Sequence, residues 1–221
     1  MKFILAKKIG MSQIFNEQGQ VVPVTLVEAG PCVVTQIKTD EKDKYSAVQI
    51  GFDTAKHINR PKAGHLKKAK TENVKYLREF RVEKGVRYSG KKVPDTFSIP
   101  DTFSIPELGA EIKADVFAEG DAIKVSGLTM GRGFQGVVKR HNFKGGPKSH
   151  GQKHSLRRPG SIGSTFPERV PKGRRMAGRY GGERVTVRGL EIVKIDVENN
   201  ILAIKGAVPG KKGTLLEIST I

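Results

Sequence analysis

The chain has 221 residues, with 40 Lys and Arg against 22 Asp and Glu, a formal net charge of +18 and one cysteine, Cys32. One cysteine excludes an intramolecular disulfide and a four-thiolate zinc site, and the charge points to a polyanionic partner. With 37% apolar residues, 26 Gly and 11 Pro, the length suits one or two domains with much irregular backbone.

Phe3-Ile4-Leu5-Ala6 opens the chain as an apolar run. Lys7 and Lys8 end it too soon for a signal-peptide core, and no uncharged stretch approaches a membrane span, so a soluble, intracellular protein is expected. Val21 to Val27, rich in β-branched residues, follows the turn-prone Asn16-Glu17-Gln18-Gly19 and predicts a strand. Residues 33–37 and 47–52 predict two more.

Segment 55–92 is basic, with 13 Lys and Arg against Glu72, Glu79 and Glu83. Within it His65 to Lys70 and Val74 to Phe80 are each predicted as a short helix. Residues 94–99 and 100–105 then repeat Pro-Asp-Thr-Phe-Ser-Ile, a local duplication that lengthens a loop and falls far below a solenoid period.

Segment 126–182 carries 13 Lys and Arg against a single acid, Glu168, and 13 of the 26 glycines. Its apolar residues are too scattered for a core of its own, which predicts an extended arm ordered by an anionic partner. Near the C-terminus Val193, Ile195 and Val197 alternate with charged residues, and Asn199-Asn200 predicts a two-residue hairpin turn into Ile201 to Ile204. The pattern is mainly β, a small closed barrel or a sandwich. It divides into a β body (1–54, 93–125 and 183–221), a basic inserted subdomain (55–92) and the arm (126–182). The body is near neutral and the two basic segments hold the excess charge, a segregation whose self-repulsion an anionic partner offsets.

Gly131-Arg132-Gly133-Phe134-Gln135-Gly136 matches the G-x-G-x-x-G pattern of nucleotide sites. The context refuses it: no acid follows at the expected distance, and Gly145-Gly146-Pro147 breaks any helix early. His150 and His154 have the spacing of two metal ligands on a helical turn but no third ligand nearby, and Ser161 and Ser164 lack an acid–base partner. Neither catalysis nor a cofactor is expected. Phe134, Phe143, Phe166 and Tyr180 interleave with Arg157-Arg158, Lys172, Arg174-Arg175 and Arg179, a mixture suited to phosphates and unpaired bases.

Several long strings then carry a family likeness. Ile9-Gly10-Met11-Ser12-Gln13-Ile14-Phe15, GRGFQGVVKRHNFKGGPKSHG (131–151), RRPGSIG (157–163), GRRMAGR (173–179), ERVTVRGLEIV (183–193) and KGAVPG (205–210) resemble, in order, the universal large-subunit ribosomal protein "L three" family. The resemblance implies a closed six-stranded translation-protein-type β-barrel with an inserted subdomain. It also implies an arm reaching through large-subunit rRNA toward the peptidyl-transferase centre, and a role early in subunit assembly. Many bacterial members carry a methylatable Gln after Gly-Ser-Ile-Gly; Ser164 stands there instead, so that modification is excluded at this position.

In the arm motifs the resemblance makes Arg132, Phe134, Lys139, Arg140, His141, Phe143, Lys144, Lys148, His150, Arg157, Arg158, Arg174, Arg175 and Arg179 rRNA contacts. Charge adds Lys153, His154, Arg169 and Lys172, and from the insertion Lys67, Lys68 and Lys70. Expected partners are large-subunit rRNA and neighbouring ribosomal proteins of that subunit, with no membrane, metal or small-molecule substrate. The competing readings are a free RNA chaperone or translation-factor-like barrel, and a nucleotide-dependent RNA enzyme using Gly131 to Gly136.

Overall fold

The computed structural model describes residues 2–81, 107–166 and 168–221, so the repeat at 94–105 lies outside the described residues. The chain forms two compact units, one of Met1–Gly127 with Val185–Ile221, the other of Leu128–Arg184.

In the first unit the chain runs β1 (Phe3–Phe15), β2 (Val21–Ala29), β3 (Cys32–Lys38), α1 (Asp40–Asp43), β4 (Ala47–Thr54), α2 (Arg60–Lys67), β5 (Val74–Arg81), β6 (Glu111–Ile112) and β7 (Ala122–Leu128). The second unit contributes β8 (Phe134–Gln135), α3 (Val137–His141) and β9 (Gly178–Arg179). β10 (Arg184–Asp196), β11 (Ile201–Lys205) and β12 (Leu215–Thr220) follow. The protein is mainly β.

Six strands hydrogen-bond in a ring, β1-β12-β7-β10-β11-β2, with β2 pairing back onto β1. β3 and β4, which the sequence groups with the other body strands, leave the ring. They build a separate four-stranded sheet of order β5-β4-β3-β6.

The residues explain the division. Phe3, Ile4, Leu5 and Ala6 are consecutive and all are buried, so both faces of β1 are covered there. Ile123, Val125, Ile192, Leu202, Ile204, Leu216 and Ile218 join them in one core with Val34, Val48, Ile50 and Phe80 of the second sheet. Phe80 stacks on Phe3, with ring centroids 4.7 Å apart. Arg78 of β5 also donates from Nε to Glu217 of β12 at 3.1 Å.

Both helix expectations need correction. Val74 to Phe80 is a strand: Val74, Tyr76 and Phe80 turn inward while Lys75, Glu79 and Arg81 face out, and the segment pairs with β4 from Thr54↔Val74 to Ala47↔Arg81. That period of two is hidden by Leu77, whose spacing from Phe80 imitates a helix. The other helix exists but lies earlier, at Arg60–Lys67 with Pro61 in its first turn, and ends before Ala69 and Lys70.

The β10–β11 connection is also longer than two residues. Asp196 pairs with Ile201, leaving four residues between, with Asn199 bonded to the Asp196 carboxylate and Asn200 at φ 53°. A register shift between Ile192 and Lys194 reassigns the faces, so Ile192 enters the core while Val197 stays exposed.

On the second sheet Lys38 meets Glu79 at 2.9 Å, and Tyr45 donates to the same carboxylate at 3.0 Å. The hydrogen bond from Lys38, ahead of burial, holds Glu79 below its ordinary carboxyl value. Cys32 is fully buried, its thiol donating to the Leu5 carbonyl, and burial pushes its pKa up to about 12. It is an inert core thiol, as its apolar setting predicts.

Candidate nucleic-acid interface

The unit Leu128–Arg184 is tied together mainly by its backbone. Its outgoing and returning chains run side by side. Thr129 N–H donates to Glu183 O at 2.9 Å, Arg132 N–H to Tyr180 O at 2.8 Å and Tyr180 N–H to Gly133 O at 2.9 Å. β8 and β9 then pair Phe134 with Arg179 and Gln135 with Gly178. Gly181 makes this approach feasible: at φ 75°, a Cβ there would lie 2.0 Å from the Met130 carbonyl oxygen.

Beyond the pair, α3 packs Val137 inward and ends at Asn142, whose φ of 57° reverses the chain. Arg140 Nη1 donates to the Met176 carbonyl at 2.8 Å, and His141 Nε2 donates to the same oxygen at 3.1 Å. Further on, Gly146 N–H bonds the Leu156 carbonyl at 2.9 Å, and Arg174 Nη2 bonds the Ser161 carbonyl at 3.2 Å.

The expected contact residues therefore separate into two groups. Arg132, Phe134, Lys139, Lys144, Lys148, His150, Lys153, His154, Arg157, Arg158, Arg169, Lys172, Arg174, Arg175 and Arg179 are exposed. Arg140, His141 and Phe143 are half-buried, and the first two spend their donors on Met176. Among the described residues none of the arm's cations forms an ion pair. A face with so many cations and no internal acid partners carries a strong positive potential. Phe134 and Phe166 are 77% and 78% exposed, an unusual state for large apolar rings. Tyr180 is half-buried with the Arg132 guanidinium 5.3 Å from its ring centroid.

Lys67, Lys68 and Lys70 are also exposed, at the end of α2 in the other unit. Sequence reasoning did not find the Met176 carbonyl as the point that fixes Arg140 and His141, nor the Arg132–Tyr180 contact. A backbone acceptor 35 residues away leaves no local signal.

The decoy motifs resolve by geometry. A dinucleotide fingerprint needs its glycines between a strand and a long helix. Here Gly131 and Gly133 precede a two-residue strand and a five-residue helix. His150 and His154 lie in turns rather than on one helical face, and no cluster of three metal-ligating side chains occurs among the described residues. The Ser161 hydroxyl donates to the Gly163 carbonyl at 2.9 Å, a turn-closing role. No helix among the described residues is long and apolar enough to cross a membrane.

Comparison with known proteins agrees with the likeness read from the motifs. The family model described as Ribosomal protein L3 matches residues 43–198. The large ribosomal subunit protein uL3 of Pelotomaculum thermopropionicum is 51% identical over 219 residues, covering 98% of this chain and 95% of that protein. The same protein of Thermosipho africanus is 50% identical over 221 residues, covering 100% of this chain and 98% of that one. That of Prochlorococcus marinus is 51% identical over 218 residues, with 97% and 91% covered. Identity at this level across nearly the whole of both chains leaves one conclusion: this chain belongs to the ribosomal protein L3 family.

Proposed function

We propose that the protein is a structural, non-catalytic constituent of the large ribosomal subunit that binds large-subunit rRNA through the residues of 128–184. The observation that carries this reading is the exposed, acid-poor cationic face of that unit, interleaved with exposed rings. In this reading Lys144, Lys148, Lys153, Arg157, Arg158, Arg169, Lys172, Arg174, Arg175 and Arg179 meet phosphates, while Phe134 and Phe166 meet bases. Arg140 and His141 act one step back, holding the arm's shape. Lys67, Lys68 and Lys70 supply a second phosphate contact.

The ring of six strands fits a closed barrel of the translation-protein type, the second sheet and α2 being the inserted subdomain. The arm extends toward the peptidyl-transferase centre, the protein enters subunit assembly early, and it resides on ribosomes in the cytoplasm beside other large-subunit proteins.

Sedimentation of a lysate in high-magnesium buffer tests the placement. A ribosomal constituent co-migrates almost completely with large subunits and ribosomes. A free RNA chaperone or translation-factor-like barrel stays largely at the top of the gradient, and that result would overturn the proposal.

A further inference from the structure

Two clefts open on the second unit, and Phe143 and Pro159 line both. The first, of about 700 Å³, is bounded by Phe143, Lys144, Gly145, Ser155, Arg158 and Pro159. The second, of about 430 Å³, is bounded by Phe143, Pro159, Ser161, Ile162, Arg174 and Arg175. Both volumes fall in the range of sites that hold small organic groups, ~300–1,000 Å³. Neither has a carboxylate in its lining, and each offers arginine beside an aromatic ring.

The walls are fixed by bonds within the unit. Gly145, at φ 74°, sits so close to residue 156 that a Cβ would lie 2.3 Å from the Leu156 carbonyl, and Gly146 N–H donates to that same oxygen. Across the second cleft Arg174 reaches the Ser161 carbonyl at 3.2 Å and fastens one rim to the other. Phe143 itself is half-buried, its ring 6.1 Å from that of His141, which Met176 holds in place. A ring held from one side and open to two cationic clefts suits a flat π-system with an attached anion.

The geometry points to Phe143 as the shared wall of two nucleotide pockets, which receive unpaired nucleotides of an RNA loop. Each base would lie against Phe143 or Pro159, with its phosphate on Arg158 in one cleft and on Arg174 and Arg175 in the other. A base inside a duplex cannot enter, because it is stacked and paired on both sides. This inference rests on the rRNA-binding reading and sharpens it: the arm recognises splayed, single-stranded RNA here, whereas its other cations read the backbone alone.

The test uses the full chain and two synthetic RNAs of equal length, a hairpin with an unpaired loop and a blunt duplex. Phe143→Ala should weaken hairpin binding about fivefold or more, leave duplex binding unchanged, and leave the salt dependence of both unchanged. Phe143→Tyr should bind like the parent. Phe143→Leu keeps an apolar side chain for packing but loses the π-face, so it should melt like the parent and bind the hairpin like Phe143→Ala. Parent-like hairpin binding by Phe143→Leu, or equal loss on both RNAs by Phe143→Ala, would overturn the pockets while leaving rRNA binding intact. A parent protein that bound neither RNA would overturn the rRNA reading itself.

Discussion

Phe80 of β5 lies against Phe3 of β1 with ring centroids 4.7 Å apart and planes inclined by 12°, one ring from each of the two sheets of the first unit. The two residues are 8% and 1% exposed, so the pair is part of a shared core and joins sheets that share no paired strands among the described residues. Phe80→Ala should lower the unfolding free energy by about 3–5 kcal/mol, the range for emptying an aromatic site in a packed core. Urea denaturation measures this. A loss under 1 kcal/mol would mean that the sheets are held together by something other than this core.

Acid should weaken the second sheet through Glu79. The hydrogen bond from Lys38 favours the carboxylate and lowers its pKa from the ordinary value of 4.5, with Tyr45 and Gln49 adding donors. A carboxyl lowered on folding stabilises fully above its unfolded value, and that contribution disappears as pH falls through the folded value. Thermal melts from pH 6 down to pH 3 should therefore show a loss of stability that is smaller in Glu79→Gln. Asp53 and Asp121 are lowered as well, so the variant should retain some acid sensitivity.

Gly145→Ala should loosen one stretch of the arm and spare the body. A Cβ 2.3 Å from a backbone carbonyl, at φ 74°, must displace the chain near Leu156 and break the Gly146 bond. Limited trypsin digestion of the variant should cut faster at Lys144 and Arg157, while urea unfolding of the first unit stays within about 0.5 kcal/mol of the parent. Unchanged cleavage would show that this contact does not order the arm.

Much of the arm was legible because charge is a local property. Thirteen bases beside one acid, with half of all glycines, mark residues 126–182 without any knowledge of pairing. The partition of the strands was not legible. That Cys32 pairs with Ile112, and Phe3 with Ser219, is decided by contacts far apart in sequence, so β3 and β4 could not be separated from the ring strands by pattern. β5 was misread for a nearer reason: Val74, Leu77 and Phe80 fit a helical period about as well as Val74, Tyr76 and Phe80 fit an alternating one, and only β4 alongside decides between them. In the arm, Arg140 resembles every other arginine until the Met176 carbonyl is seen beneath it.

The central claim is that the exposed cations of the arm neutralise RNA phosphates, and a salt titration of binding to an rRNA fragment tests it most directly. With about eight phosphates neutralised, log K against log salt should fall with a slope near −6 on the single-strand coefficient. Replacing Arg174 and Arg175 together by Ala should flatten that slope by about one to two units and weaken binding to unpaired RNA of many sequences alike. Binding that hardly varies with salt, or an Arg174/Arg175 double variant that matches the parent in both slope and affinity, would contradict the account.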